Sequence, residues 1–72
     1  MSEPSLENAM KVHRAVRDLT QAELAELAGV TRRSINAIET GKMVPSVFLA
    51  LKIARALEVP IDAVFSLSGE SE

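Results

Sequence analysis

Four polar side chains that could bind nucleic-acid bases recur at helical spacing in the middle of the chain. They are Arg32, Arg33, Asn36 and Thr40. On a helix these four share one half of the surface, and Ile35 and Ile38 occupy the other half. An arginine can pair with guanine O6 and N7 through two hydrogen bonds, and an asparagine with adenine N6 and N7, each discriminating by ~1–3 kcal/mol. The spacing therefore predicts a helix with one base-reading face, although a lone basic helix face is more often only solvated.

No comparable pattern indicates an enzyme or a metal site. The chain has no cysteine and a single histidine, His13, so His13 has no second histidine or thiolate with which to share a metal. Ser34 has no base partner in the sequence, and Glu23 and Glu26 are explained by helix capping and a solvated surface. We therefore expect neither catalytic activity nor a cofactor, and we expect His13 to be partly buried and hydrogen-bonded.

The elements that would position the base-reading face are two short helices joined by a glycine turn. Leu24, Leu27 and Ala28 fall at i, i+3 and i+4, which predicts one apolar face on the helix before the turn. Gly29 can adopt a positive φ at little cost and so reverse the chain. Thr20 begins a Thr-x-x-Glu capping box at the start of that helix. A near-perpendicular helix pair with such a turn is the helix-turn-helix unit.

The remaining sequence predicts three further helices and no strands. The first helix would follow an N-cap at Ser5, cover about residues 6–17 and end at Asp18. The helix before the turn would cover residues 21–28, and the base-reading helix would follow an N-cap at Thr31 and end at Gly41. A fourth helix would run from residue 47 to about 57 after an N-cap at Ser46, and a short fifth would cover about residues 61–65. The inward residues expected on the fourth helix are Val47, Ala50, Leu51, Ala54 and Leu57, with Ile53 at the margin.

These elements predict one all-α domain of five helices. The expected organisation is a disordered N-terminus at residues 1–5, the compact domain at 6–66 and a flexible acidic tail at 67–72. No run approaches the ~18 apolar residues that span a membrane, and the N-terminus lacks the features of a signal peptide. The absence of cysteine is compatible with a reducing compartment, so we expect the protein in the cytoplasm.

The negative net charge argues against a nucleic-acid partner, but the cationic side chains are concentrated in one part of the chain. The 72 residues carry a formal charge of −2. Residues 31–45 nevertheless hold three cationic side chains and one anionic, whereas residues 57–72 hold four acids and no cation. Because DNA meets a local patch and not the total charge, the sequence remains compatible with DNA binding.

A pattern of residues at fixed offsets extends over most of the chain. It comprises Thr20-Gln21, Leu24-Ala25, Ala28-Gly29-Val30-Thr31-Arg32, Ser34-Ile35, Ile38-Glu39, Gly41-Lys42 and Pro45-Ser46. The pattern resembles the phage-repressor and Cro-like helix-turn-helix domain of XRE-type regulators, and the resemblance continues to Phe65. It implies a five-helix fold that binds double-stranded DNA as a dimer, with the third helix in the major groove.

The resemblance also implies a set of contact residues. Those expected at the DNA are Gln21, Thr31, Arg32, Arg33, Asn36, Ala37, Thr40 and Lys42. Gln21 would contact a phosphate and support the start of the third helix, and Lys42 would contact the backbone beyond it. In the family the dimer commonly forms near the fifth helix. The candidates there are Ile61, Val64, Phe65 and Leu67.

We therefore expect a sequence-specific transcriptional regulator, and specifically a repressor that binds a roughly palindromic operator as a homodimer. The alternative is a protein-interaction module, such as the antitoxin of a toxin–antitoxin pair. The acidic net charge favours that alternative slightly. So does Phe48, which should face outward or lie at the rim of the fourth helix. There it would either contact a protein partner or a second subunit, or make a satellite core contact under the tail.

Overall fold

A computed structural model describes residues 4–68, which form five α-helices and two short strands. In chain order the elements are β1 (Leu6–Asn8), α1 (Met10–Val16), α2 (Gln21–Ala28), α3 (Arg32–Glu39), α4 (Val47–Leu57), α5 (Ile61–Val64) and β2 (Phe65–Leu67). The five-helix architecture with α2 and α3 as the helix-turn-helix pair is confirmed. Within residues 4–68, no helix has the length and apolar character needed to cross a bilayer.

The starts of α2, α3 and α4 share one capping arrangement. At each start a hydroxyl side chain accepts a hydrogen bond of 3.0–3.1 Å from the backbone N–H three residues later. The three caps are Thr20, Thr31 and Ser46. At Thr20 the Glu23 carboxylate also accepts from the backbone N–H of the cap at 2.9 Å, which completes the predicted capping box.

The ends of α1 to α4 also share one arrangement, in which a residue with positive φ reverses the chain. These residues are Asp18 (φ 60°), Gly29 (φ 73°), Gly41 (φ 80°) and Glu58 (φ 61°). The residue that follows donates its backbone N–H to a carbonyl five positions earlier, as Val30 does to Ala25 at 2.9 Å. Three of these ends were predicted from the sequence. The end of α4 near residue 57 was predicted as well, but the positive φ of Glu58 was not, because glutamate gives no signal for this conformation.

Asp18→Gly is expected to raise the free energy of unfolding by about 0.5 kcal/mol, because glycine adopts this φ without the steric cost of a Cβ atom. Asp18 is exposed and makes no ion pair within residues 4–68, so little else is lost. Urea unfolding followed by circular dichroism measures the change. The control is Asp18→Ala, which keeps the Cβ atom and should destabilise the domain. An equal effect of both variants would contradict the explanation.

The two ends of the described chain pair as antiparallel strands, which the sequence did not predict. Leu6 lies opposite Leu67, and Asn8 lies opposite Phe65. Ser5 is therefore not a helix cap. Its hydroxyl lies 2.8 Å from that of Ser68, and its carbonyl accepts from the Ser68 backbone N–H at 2.8 Å. Leu67 belongs to β2 and not to a tail, whereas residues 1–3 and 69–72 lie outside the described residues.

Asn8 explains why α1 begins later than expected. Its side-chain oxygen accepts from the Met10 backbone N–H at 3.1 Å, and its side-chain nitrogen donates to the Ile38 carbonyl at 3.0 Å. The Ala9 backbone N–H donates to the Val64 carbonyl at 2.7 Å. The two bonds to Ile38 and Val64 are long-range and hold residues 6–9 away from the helical path, so the prediction of a helix from residue 6 is wrong.

The core is built from apolar stripes on α2, α3 and α4, to which α1 and α5 each add one buried side chain. Its buried members are Met10, Leu24, Ala25, Ala28, Ile35, Ile38, Ile53, Ala54, Leu57 and Val64. Two predicted stripes are displaced. On α2 the side chain of Leu27 is exposed and that of Ala25 is buried. On α4 Val47 and Leu51 are exposed, whereas Ile53 is fully buried.

Candidate nucleic-acid interface

The two faces of α3 are separated as the sequence predicted. Ile35 and Ile38 are buried on one side, which anchors α3 against the core. Arg32, Arg33 and Asn36 are exposed on the other side. Because the buried isoleucines leave little freedom for α3 to rotate, the three polar side chains project from a helix whose orientation is set by the core.

The surface near these side chains carries a positive charge. Arg32, Arg33 and Lys42 are all exposed, and none of them makes an ion pair within residues 4–68. The one acid between residues 31 and 45 is Glu39, and its charge is compensated by an ion pair with Arg14. The local surface is therefore more positive than the net charge of the chain suggests.

Gln21 connects the start of α2 with the exposed face of α3. Its Nε2 atom donates to Asn36 Oδ1 at 3.1 Å and to Glu39 Oε1 at 3.1 Å. Gln21 thus lies beside the α3 residue with the greatest capacity to read a base edge through an amide. These bonds reach the middle and the last residue of α3 and not its start, where the sequence placed the support from Gln21. The contact of Gln21 with a phosphate remains a prediction.

A nearly buried ion pair between α1 and α3 lies behind this face. Arg14 Nε is 2.6 Å from Glu39 Oε2, and Arg14 Nη2 is 3.1 Å from Glu39 Oε1. Arg14 Nη1 also donates to the Leu19 carbonyl at 2.8 Å. The two side chains are 14% and 7% exposed. The sequence did not predict this pair, because no local signal connects residues 25 positions apart.

The surroundings of Glu39 keep its carboxyl group ionised. Burial by itself raises the pKa of Glu39. Hydrogen bonds from Arg14 and Gln21, together with the charges of Arg14 and Lys11, outweigh burial and hold the pKa below its ordinary value. Glu39 is therefore an acceptor of hydrogen bonds and not a donor at neutral pH.

The other predicted DNA-contacting residues in and next to α3 have few polar side-chain atoms free to bind a ligand. The Thr31 hydroxyl caps α3 and also donates to Ser34 Oγ at 3.1 Å. The Thr40 hydroxyl donates to the Asn36 carbonyl at 2.9 Å. Ala37 is half-buried. Arg32, Arg33, Asn36 and Lys42 are consequently the residues with the most exposed polar groups for a ligand.

The predicted dimer residues do not form one exposed surface. Val64 is only 2% exposed and belongs to the core, so its side chain has little area to offer a partner. Ile61 and Phe65 are half-buried against the same core. Leu67 is exposed beside Leu6 on the strand pair. Of the four candidates, Leu67 therefore retains the most exposed side chain.

His13 and Phe48 lie as the sequence indicated. His13 is half-buried, and its Nε2 atom is 3.2 Å from the Ala63 carbonyl oxygen. Among residues 4–68 no group of three or more potential ligands could hold a metal ion. Phe48 faces solvent, with the Lys52 ammonium 5.0 Å from its ring centroid.

Comparison with known proteins shows which family the chain resembles. The family model described as helix-turn-helix matches residues 14–64, which include α2, α3 and their turn. An uncharacterised HTH-type transcriptional regulator of Methanocaldococcus jannaschii is 47% identical over 83% of this chain and 91% of its own length. The uncharacterised HTH-type transcriptional regulator YgzD of Bacillus subtilis is 42% identical over 92% of this chain and its entire length.

Solved structures share the fold. The restriction-modification controller protein C.AhdI from Aeromonas hydrophila superposes with a TM-score of 0.73 at 30% identity, over 75% of this chain and 82% of that protein. The clp gene regulator ClgR from C. glutamicum superposes with a TM-score of 0.70 at 28% identity, over 75% of this chain and 70% of that protein. The chain therefore belongs to the helix-turn-helix family of DNA-binding transcriptional regulators.

Proposed function

We propose that the protein is a repressor that binds a specific, roughly palindromic operator as a homodimer. The observation that carries this proposal is the face of α3, where Arg32, Arg33 and Asn36 are exposed on a helix anchored by buried isoleucines. Arginine and asparagine are the side chains best suited to the hydrogen-bonding pattern of purines in the major groove. A rigid helix that presents them is an arrangement that can discriminate between sequences. We assign the chain no catalytic role.

In this proposal the contacts divide into those that position the protein and those that read bases. Gln21, through its backbone N–H, and the other free N–H groups at the start of α2 would bind a phosphate, since a helix N-terminus favours anions. Lys42 would bind the backbone beyond α3. Two α3 helices related by a two-fold axis would enter successive major grooves about 34 Å apart. Occupation of a promoter by this dimer in the cytoplasm, on the nucleoid, would block transcription.

The experiment that tests the proposed function is selection of bound duplexes from a random DNA pool at two salt concentrations. A sequence-specific dimer would enrich two inverted half-sites at both concentrations, because base contacts depend less on salt than phosphate contacts do. Weak binding without enrichment, lost at moderate salt, would contradict specific recognition. The acidic net charge would then have correctly indicated that DNA is not the ligand, and a protein partner would become the leading hypothesis.

The dimer requires an exposed surface, and two apolar surfaces compete for that role. One is the strand pair with Leu67, which is 47% exposed. The other is the α4 face, formed by Val47, Phe48 and Leu51, of which the first two are more than 70% exposed. Exposed apolar area of this kind often marks an interface. We assign the dimer to the strand pair because it adjoins α5. The α4 face supports the second candidate function, contact with a protein partner.

Leu67→Asp is expected to convert a dimer into a monomer, because a dimer contact there would bury the new carboxylate without a partner. Light scattering after size-exclusion chromatography measures the mass. The matched control is Phe48→Asp, which places the same charge on the α4 face and should leave the dimer intact. If Phe48→Asp dissociates the dimer and Leu67→Asp does not, the α4 face is the interface and the assignment is reversed.

A further inference from the structure

Glu39 determines the orientation of the Gln21 amide. Glu39 accepts hydrogen bonds from Arg14 and is ionised, so it can only accept a bond from Gln21. The Gln21 atom 3.1 Å from Glu39 Oε1 must therefore be the amide nitrogen and not the amide oxygen. The assignment of oxygen and nitrogen in Gln21 follows from the charge of its neighbour.

The orientation of Gln21 determines that of Asn36 in turn. The same Gln21 nitrogen lies 3.1 Å from one end of the Asn36 amide. A nitrogen that donates one hydrogen to Glu39 has its second hydrogen available for Asn36, so the facing Asn36 atom must accept and is Oδ1. Asn36 Nδ2 is left as the other end of the amide, with no hydrogen-bond partner within residues 4–68, on an exposed residue.

We propose that Gln21, held by Glu39, makes Asn36 a hydrogen-bond donor toward DNA, so that Asn36 selects guanine and rejects cytosine at the base it contacts. This inference rests on the proposed function and makes Gln21 and Glu39 positioning residues for base reading. It revises the expectation that Asn36 pairs with adenine through two bonds, since that pairing requires Oδ1 to accept from adenine N6.

The chemistry of the major groove gives the order of preference. Guanine presents two acceptors, O6 and N7, whereas cytosine presents the N4 donor. A donating Nδ2 gains a hydrogen bond at guanine and meets a second donor at cytosine. Adenine offers only N7 beside a donor, and thymine only O4 beside a methyl group, so both rank between them. Without Gln21 the Asn36 amide can turn over, and Oδ1 can then accept from adenine N6 or cytosine N4.

The test repeats the selection from random duplexes with the full chain and three variants. Asn36→Ala identifies the base position that Asn36 reads, as the position at which preference disappears. Gln21→Met removes both hydrogen bonds from Gln21 and keeps the side-chain length. Lys42→Ala is the matched control, because it removes a proposed backbone contact and leaves the Asn36 environment unchanged.

The wild-type protein should favour guanine over cytosine at that position by about tenfold, within the range for a single base contact. In Gln21→Met the ratio should fall to about twofold, with adenine gaining most, since its two-bond pairing with asparagine becomes available. Lys42→Ala should lower binding without changing the order of bases. Gln21→Ala removes the same bonds by a different change and should reproduce the shift if Gln21→Met does not fold.

The possible results separate the inference from the proposed function. An unchanged order of bases in both Gln21 variants, with an enriched wild-type motif, overturns the role of Gln21 and leaves sequence-specific binding intact. A wild-type preference for adenine at the Asn36 position overturns the donor assignment directly. A wild-type protein that enriches no motif overturns both proposals.

Discussion

Glu39→Ala is expected to lower the free energy of unfolding by about 3 kcal/mol, because it leaves Arg14 as a nearly buried charge without its partner. It also removes an acceptor from Gln21. A chain of 72 residues has a total stability of roughly 4–11 kcal/mol, so this loss would be a large part of the total. Urea unfolding of the variant and of the wild-type protein measures it.

The control for this prediction replaces both partners. Arg14→Met with Glu39→Met keeps apolar volume and leaves no unpaired charge, and should cost much less than Glu39→Ala alone. This comparison separates the cost of an orphaned charge from the value of the pair itself. If the double variant is as unstable as Glu39→Ala, the effect lies in lost packing or in the Arg14 bond to the Leu19 carbonyl, and the explanation is wrong.

The same pair predicts how stability depends on pH. The folded-state pKa of Glu39 lies below its ordinary value of 4.5, so the ionised group contributes stability above that pH. The contribution is lost as the pH falls from there through the folded-state pKa. Unfolding measured at neutral pH and near pH 3 should show a larger loss in the wild-type protein than in the Arg14→Met, Glu39→Met variant. Equal losses would contradict the assignment to Glu39.

Local signals explain why the bounds of α2, α3 and α4 could be predicted. Each of these helices begins at a hydroxyl cap that bonds within its own first turn. The glycines after α2 and α3 likewise act through their own backbone conformation. The strand pair has no such signal, because each strand is three residues long and its partner lies at the other end of the chain. Such pairing depends on tertiary structure.

The buried face of α2 also depends on tertiary structure and could not be predicted from local sequence. On α2 the spacing of Leu24, Leu27 and Ala28 fitted one apolar stripe, but Leu24, Ala25 and Ala28 also lie on one side of a helix. The second set is buried because α3 and α4 both pack against α2. The exposed face of α3 was predictable because Ile35 and Ile38 are its large apolar residues and lie on one side of the helix, so the opposite side had to face solvent. The Arg14–Glu39 pair behind it was not, since it joins separate helices.

Alanine at Arg32 and Arg33 together is expected to weaken binding to the selected operator by about 10²–10⁴-fold, since each lost base contact costs ~1–3 kcal/mol. Both side chains are exposed and make no ion pair within residues 4–68, so the domain should remain folded. Affinity for operator and for unrelated duplexes, measured at several salt concentrations, gives the specificity ratio directly. Unfolding in urea confirms that any loss of affinity is not a loss of structure.

The comparison with Lys42→Ala distinguishes base reading from charge. Lys42 is expected to contact the backbone, so its loss should weaken all duplexes alike and reduce the salt slope by about one. Arg32→Ala and Arg33→Ala should instead lower the ratio of operator to non-operator affinity and relax the preference at particular bases. An equal loss at every sequence for all three variants would mean that the arginines supply only charge. Specificity would then have to come from Asn36 or from the shape of the DNA.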